Sequence, residues 1–226
     1  MVSAAQAPRL GPTIATDEDF AAIAETVGGD IRPHVFIAIP TYEFEEGMPH
    51  NVANLYKPNS AWLSIARFRG DENADIGQIR NRICEAAIRS KADYIVMLDD
   101  DVFPQKDGLQ RLLQVVRDHD DEVIAVGSYH LRFSTSKTSV NMELNGAKLR
   151  PMREDGALRP AYYAAFGFAV IPAPLLSRIR QPWFVLEAKR SEDCYFSDMC
   201  REAGVEILCD TGIKCDHIDR KTGVVY

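Results

Sequence analysis

Between Ala92 and Pro104 the chain reads Ala-Asp-Tyr-Ile-Val-Met-Leu-Asp-Asp-Asp-Val-Phe-Pro. Tyr94 to Leu98 is an unbroken apolar run, the pattern of a strand covered on both faces in a layered α/β sheet. It runs directly into Asp99, Asp100 and Asp101, and Pro104 is expected to stop the chain from continuing in the sheet. Three adjacent carboxylates at the end of a buried strand repel one another and lose hydration, so something must compensate them. A divalent cation with oxygen ligands, carrying the phosphates of a nucleotide, does so. Open α/β sheets bind their ligands beyond the carboxyl ends of the strands, where these acids sit. The competing reading has Asp100 or Asp101 capping a helix that begins near Asp107, with the others solvated.

The surrounding pattern alternates strand and helix. Val35–Ile39 and Ala61–Arg67 read as strands, and Ile76–Arg89 carries Ile76, Ile79, Ile83, Ala86 and Ala87 at helical spacing. After the acids come a helix over Gly108–Arg117, with Leu109, Leu112, Leu113 and Val116 inward, and a strand over Val123–Gly127. This alternation predicts βαβ units and a mostly parallel central sheet with helices on both faces, a Rossmann-like α/β fold. Residues 1–30 read as a flexible arm with a short helix, and residues 31–226 as one domain. Glu45–Asn59 reads as a surface excursion. Tyr129–Pro160 reads as an insertion holding a small antiparallel hairpin around Asn145-Gly146. Tyr162–Pro172 is a second long apolar run, followed by a short helix over Leu175–Ile179. Ser191-Glu192-Asp193 starts a helix with Phe196 and Met199 inward. Gly204 ends it, and Val205–Cys209 is the last strand.

Composition narrows the function classes. The 226 residues are 46% hydrophobic and 26% charged, with a net charge of −7. That balance argues against a chain built mainly to coat nucleic acid or an anionic membrane. A local basic patch remains: Arg132, Lys137, Lys148, Arg150, Arg153 and Arg159 gather in the Tyr129–Pro160 insertion, which would tolerate an anionic acceptor, including nucleic acid. No apolar run is long enough to span a bilayer, and the start of the chain lacks a signal-peptide layout. The five cysteines are scattered, without a C-x-x-C pair, so a reducing, cytoplasmic setting is expected.

Other positions join the three acids as candidates. Thr41 and Glu43, after the first strand and Pro40, offer a hydroxyl and a carboxylate to a ribose or base. Either Arg80 or Arg82 could reach a diphosphate with its planar fork. Gly167 interrupts its apolar run as glycines do where a ligand or another backbone comes close. Glu192 and Asp193 either cap their helix or act on an acceptor hydroxyl, one as base and the other as binding group. His217, shortly after the last strand and beside Asp216, suits a third protein ligand for manganese or a similar ion.

In this order and spacing, the pieces resemble GT-A-fold nucleotide-sugar glycosyltransferases of the family-2-like group. The matching stretches are Pro40-Thr41-Tyr42-Glu43, Arg80-Asn81-Arg82, Leu98-Asp99-Asp100-Asp101, Gly167-Phe168-Ala169, Trp183-Phe184, Ser191-Glu192-Asp193 and His217. The resemblance implies a sugar transfer from a nucleoside-diphosphate donor (UDP or GDP) to a hydroxyl acceptor, with Mn2+ or Mg2+. It implies that Asp99 and Asp101 are the Asp-x-Asp pair touching ribose and metal, and that His217 completes the metal site. Pro40, Thr41, Glu43, Arg80 and Asp100 fall in the nucleotide-binding set. Gly167 and Trp183 fall where donor sugar and acceptor meet. Asp193, with Glu192, would supply the base or acceptor contact. The chain is short for the group, so the acceptor site is expected from the insertion, the Glu45–Asn59 loop or another subunit of an oligomer. Two other readings stand beside this one. A nucleotidyltransferase would favour a Gly-rich, basic loop after the first strand, which Pro40-Thr41-Tyr42-Glu43 is not. A non-catalytic nucleotide-sugar-binding protein would share the metal-dependent binding.

Overall fold

The computed structural model describes residues 32–41, 50–53, 55, 58, 60–70, 74–131 and 139–226. The N-terminal arm, Tyr42, Glu43, Arg132 and Lys137 lie outside them. In chain order the elements are β1 (His34–Thr41), α1 (His50–Ala53), β2 (Trp62–Arg69), α2 (Ile76–Arg89), β3 (Tyr94–Leu98), β4 (Val102–Pro104), α3 (Gly108–Asp118) and β5 (Val123–Ser128). They continue with β6 (Met142–Asn145), β7 (Lys148–Pro151), β8 (Leu158–Pro160), β9 (Phe168–Pro172), a 3-10 helix (Ala173–Ser177), α4 (Glu192–Glu202) and β10 (Glu206–His217).

The main sheet has the order β2-β1-β3-β9-β5-β10-β4, with β8 also paired to β10. Pairs β1–β2, β1–β3 and β5–β10 are parallel, while β9 runs antiparallel between β3 and β5. Although β3 is buried throughout, its side chains still alternate between two cores. Ile95 and Met97 join the core that includes α2 and α4 residues, and Tyr94, Val96 and Leu98 join the one that includes α3 residues. Helices therefore cover both faces, as the apolar run predicts.

Local chemistry sets the helix ends near the site. Asp75 Oδ1 accepts from Gln78 N at 2.8 Å and Gln78 Oε1 accepts from Asp75 N at 3.1 Å, a capping box that starts α2. Ser191 Oγ accepts from Cys194 N at 3.3 Å at the start of α4. At its end Gly204 takes φ +69°, and Val205 N donates to Cys200 O at 2.8 Å.

Several elements depart from the sequence expectation. The first strand does not break at Pro40 but runs through it, because the ladder with β3 has stopped at Ala38 while the one with β2 continues to Thr41. Pro104 does not take the chain out of the sheet: Val102–Pro104 is a short edge strand, antiparallel to Cys215–His217. Within the expected surface excursion, His50–Ala53 is helical and Asn51, Val52 and Leu55 are buried. The short helix expected over Leu175–Ile179 is a 3-10 turn over Ala173–Ser177. The last strand is 12 residues long and its register with β5 slips between Asp210 and Lys214. The hairpin forms as expected, turning at Gly146 with φ +63° and pairing Asn145 with Lys148.

Candidate active site

The three acids occupy the turn between β3 and β4, and the fold holds that turn from several sides. Val102 N donates to Asp99 O at 3.1 Å, closing it. Asn51, 1% exposed, donates through Nδ2 to Asp99 O at 2.9 Å and Val102 O at 3.0 Å. Asp99 N donates to Gly167 O at 2.9 Å, continuing the β3–β9 ladder, and Ile218 N donates to Asp101 O at 2.9 Å. Neither Asp100 nor Asp101 caps α3. Asp107 takes its N-cap position, without a side-chain bond.

The side chains diverge. Asp99 turns to Arg80, whose Nη2 lies 3.2 Å from each carboxylate oxygen. Arg80 Nη1 donates to Asp193 Oδ1 at 2.6 Å, and Nε sits 3.8 Å from Glu192 Oε1 without a hydrogen-bond partner. Three carboxylates from two elements thus converge on one guanidinium that is 2% exposed and lies over the Phe184 ring. Arg80 therefore spends its fork on protein carboxylates, while Arg82 faces outward, exposed. The neighbouring carboxylates raise the Arg80 pKa against the effect of burial, so it stays charged. Burial raises the Asp99 carboxyl despite Arg80. Burial, with Glu192 and Asp99 nearby, pushes Asp193 up to about 7 against the pull of Arg80.

Asp101 turns the other way, its Oδ2 3.7 Å from His217 Nε2. The His217 Nδ1 lies 2.8 Å from His130 O, and a carbonyl only accepts, so in the neutral ring Nδ1 carries the hydrogen and Nε2 presents its lone pair on the Asp101 side. The β4–β10 ladder makes this meeting possible by pairing His217 with Val102. Asp100 receives Arg220, whose Nη2 lies 3.0 Å from its carbonyl and 3.3 Å from Oδ2. Among the described residues no three His, Cys, Asp or Glu side chains gather as a ready metal cage. Asp101 and His217 do offer one hard oxygen and one imidazole nitrogen side by side. Such a pair suits an ion that takes its remaining ligands from a diphosphate and water.

Gly167 lies against Tyr129. Its N–H donates to Tyr129 Oη at 3.0 Å, and an added Cβ would stand 2.4 Å from that oxygen and 3.0 Å from Asp99 Oδ2. The Tyr129 ring also meets His217 edge-on, with centroids 5.3 Å apart. Burial, then Asp99 and Asp193, raise the Tyr129 phenol well above its ordinary value, so it stays protonated. Thr41 ends β1, buried at 4%, after Pro40. Trp183 is turned into the core: it is 2% exposed, and its Nε1–H donates to Leu176 O at 3.1 Å. Asn81 holds that stretch by accepting from Trp183 N and Phe184 N at 3.0 and 3.1 Å and donating to Phe184 O at 2.6 Å.

The family model for glycosyl transferase family 2 matches residues 52–178, more than half of the chain. The chain belongs to glycosyl transferase family 2. Its fold is of the GT-A type, and solved structures similar to it include protein A197 from STIV (16% identity, TM-score 0.60, covering 83% of this chain and 87% of that one). Others are GalNAc-T7 with UDP, GalNAc and Mn2+ (12% identity, TM-score 0.59, 98% of this chain and 56% of that one) and S. aureus TarS 1-349 (13% identity, TM-score 0.53, 80% and 60%). This chain thus spans little more than half the length of the last two. No curated protein matches it.

Sequence reasoning passed over Asn51, Tyr129 and Arg220 in this family 2 chain. Tyr129 had a usable signal, since it follows the buried strand β5 and so ends at the same rim as the acids. Asn51 and Arg220 had none, because both reach the acid turn from distant points of the chain.

Proposed function

We propose that this family 2 glycosyltransferase is metal-dependent and moves a sugar from a nucleoside-diphosphate donor to an acceptor hydroxyl. The observation that carries the reading is the division of labour among the acids: Asp101 is directed to His217, while Asp99 and Asp193 share Arg80. On this reading one side would hold a cation and the other would hold and poise a base. Asp101 and His217 would bind Mn2+ or Mg2+, with Asp99 beside them. Bound there, the ion would stabilise the negative charge that develops on the departing diphosphate. Pro40 and Thr41 at the end of β1, with Glu43, would meet the nucleoside, and Asp99 and Asp100 would meet the ribose side.

Asp193 would take the proton from the acceptor hydroxyl, and a carboxyl poised near 7 is matched to that task at neutral pH. Glu192 would orient the acceptor. Arg80 would hold Asp99 and Asp193 in place at the strand rim and pull both toward the charged form against burial, instead of gripping the diphosphate itself. Gly167 would leave room for the sugar, and Trp183 would shape that floor from beneath. Arg150 and Arg153, both exposed, would meet an anionic acceptor. Charge reversal at both is expected to weaken affinity for such an acceptor, and unchanged affinity would remove this part of the reading.

A thermal-shift screen of nucleoside diphosphates and their sugars, with and without Mn2+, tests the donor class. Ligand at a hundred times its dissociation constant stabilises the folded state by about 2.7 kcal/mol. Uridine compounds come first, because the fold neighbour GalNAc-T7 was crystallised with UDP, GalNAc and Mn2+. The expected result is stabilisation by one nucleotide class that grows with Mn2+. No response to any nucleotide would overturn the assignment, and binding without hydrolysis or transfer would favour a non-catalytic nucleotide-sugar-binding protein.

A further inference from the structure

Glu154 lies between β7 and β8, outside the cluster around Arg80, and its carboxylate gathers three partners. Ser128 Oγ donates to Oε1, Lys214 Nζ donates to Oε2 at 2.7 Å, and His130 Nε2 lies 3.0 Å from Oε2. Ser128 is fully buried at the end of β5. Lys214 is its ladder partner on β10, directly after the slip in which β10 gains residues between Asp210 and Lys214. Bulges of this kind bend a strand and re-aim the side chains beyond it. Here the side chain beyond it is His217, three residues on. The direction that β10 takes beyond the slip, toward its pairing with β4, therefore depends on what ties the two strand ends together, and Glu154 adds a side-chain tie to the ladder pair of Ser128 and Lys214.

The same carboxylate also holds His130, whose carbonyl receives Nδ1–H of His217 at 2.8 Å. Both neighbours of Tyr129 in the chain, Ser128 and His130, are thus bound to Glu154, and Tyr129 itself packs against His217. Burial alone would raise the Glu154 carboxyl, yet the hydrogen bonds from Lys214, Ser128 and His130 hold it below its ordinary value. As a plain ion pair the contact has little to offer stability, since the Lys214 side chain is half exposed.

We propose that Glu154 is a positioning residue for the metal-binding pair: it clamps β5 to β10 across the bulge and sets the His130 carbonyl that directs His217 Nε2 toward Asp101. This rests on the reading of His217 as a metal ligand. Groups that orient a metal-binding histidine from behind typically govern metal affinity by about 10- to 100-fold.

The test compares the full chain with Glu154→Gln, Lys214→Met and His217→Ala. Mn2+ is titrated alone and in the presence of UDP, and free ion is counted by electron paramagnetic resonance against a protein-free blank. The His217 tautomer is read in the metal-free protein by nitrogen NMR of labelled histidine. Glu154→Gln is expected to weaken Mn2+ binding about tenfold and to turn His217 from one tautomer into a mixture. Lys214→Met, which leaves the carboxylate in place, is expected to do the same more weakly, and it carries the test if Glu154→Gln does not fold. Wild-type affinity and an unchanged tautomer in the folded variants, with binding lost in His217→Ala, would overturn the role of Glu154 and leave the metal reading standing. Binding that His217→Ala does not disturb, or no binding in the wild type either alone or with UDP, would overturn both.

Discussion

Arg80 and Asp193, 113 residues apart in the chain, meet at 2.6 Å beneath the strand rim. The contact joins α2 to the start of α4, and through Asp99 it joins both to the end of β3. Charge that would otherwise repel is thereby kept in one buried place.

Removing that guanidinium is expected to be costly. Arg80→Met leaves Asp99, Glu192 and Asp193 without a counter-charge, and breaking a buried pair of this kind costs about 3–5 kcal/mol. The bereft Asp99 and Asp193 carboxyls, already raised by burial, hold protons more tightly in the folded state than in the unfolded chain. Stability of the variant should then fall as pH rises from about 4 upward, above the ordinary carboxyl range. Urea unfolding of wild type and variant at pH 5 and pH 8 checks this. Equal losses at both values would contradict the assignment of Arg80 as the counter-charge.

Turnover should follow the ionisation of Asp193. Its carboxyl is raised from 3.8 to about 7, and the carboxylate is the form that accepts a proton, so kcat/KM is expected to be low at acid pH and to rise through about 7. Asp193→Asn should lower kcat by about a hundredfold or more and remove that limb. A rising limb that persists unchanged in Asp193→Asn would assign the base to another group.

Asp101→Ala and His217→Ala are expected to abolish the Mn2+-dependent part of nucleotide stabilisation while leaving the fold intact. The backbone bond from Ile218 N to Asp101 O does not depend on either side chain. Thermal shift with nucleotide, with and without Mn2+, separates the two effects. A normal metal response in both variants would remove the proposed ion site.

Gly167→Ala drives a methyl group against the phenol of Tyr129, at 2.4 Å from Oη and 2.9 Å from Cζ. Overpacking of this sort costs about 1–3 kcal/mol, and here it also displaces Asp99. Adding Tyr129→Ala removes the obstruction. The double variant should therefore be more stable than the sum of the single changes predicts, a coupling that a double-mutant cycle in urea would measure.

Much of this was legible in the chain alone, for a physical reason. The apolar runs Val35–Ile39, Tyr94–Leu98 and Val123–Gly127, and the helical spacing of Ile79 and Ile83, report burial, and burial is what residue type encodes locally. The alternating order of these elements carried the α/β architecture, and the acids after Leu98 marked the rim. Residue type does not encode which distant element a side chain meets. Arg80 looked able to reach a diphosphate until α4 brought Glu192 and Asp193 to it, and Trp183, expected where donor sugar and acceptor meet, is turned into the core, its stretch held by Asn81. The antiparallel insertion of β9 and the slip in β10 are likewise matters of pairing and register, which depend on the whole sheet. Residue types along the chain laid down the layers and the acidic rim; which charge answers which was settled on folding, because those partners are set by contacts between residues tens to more than a hundred positions apart.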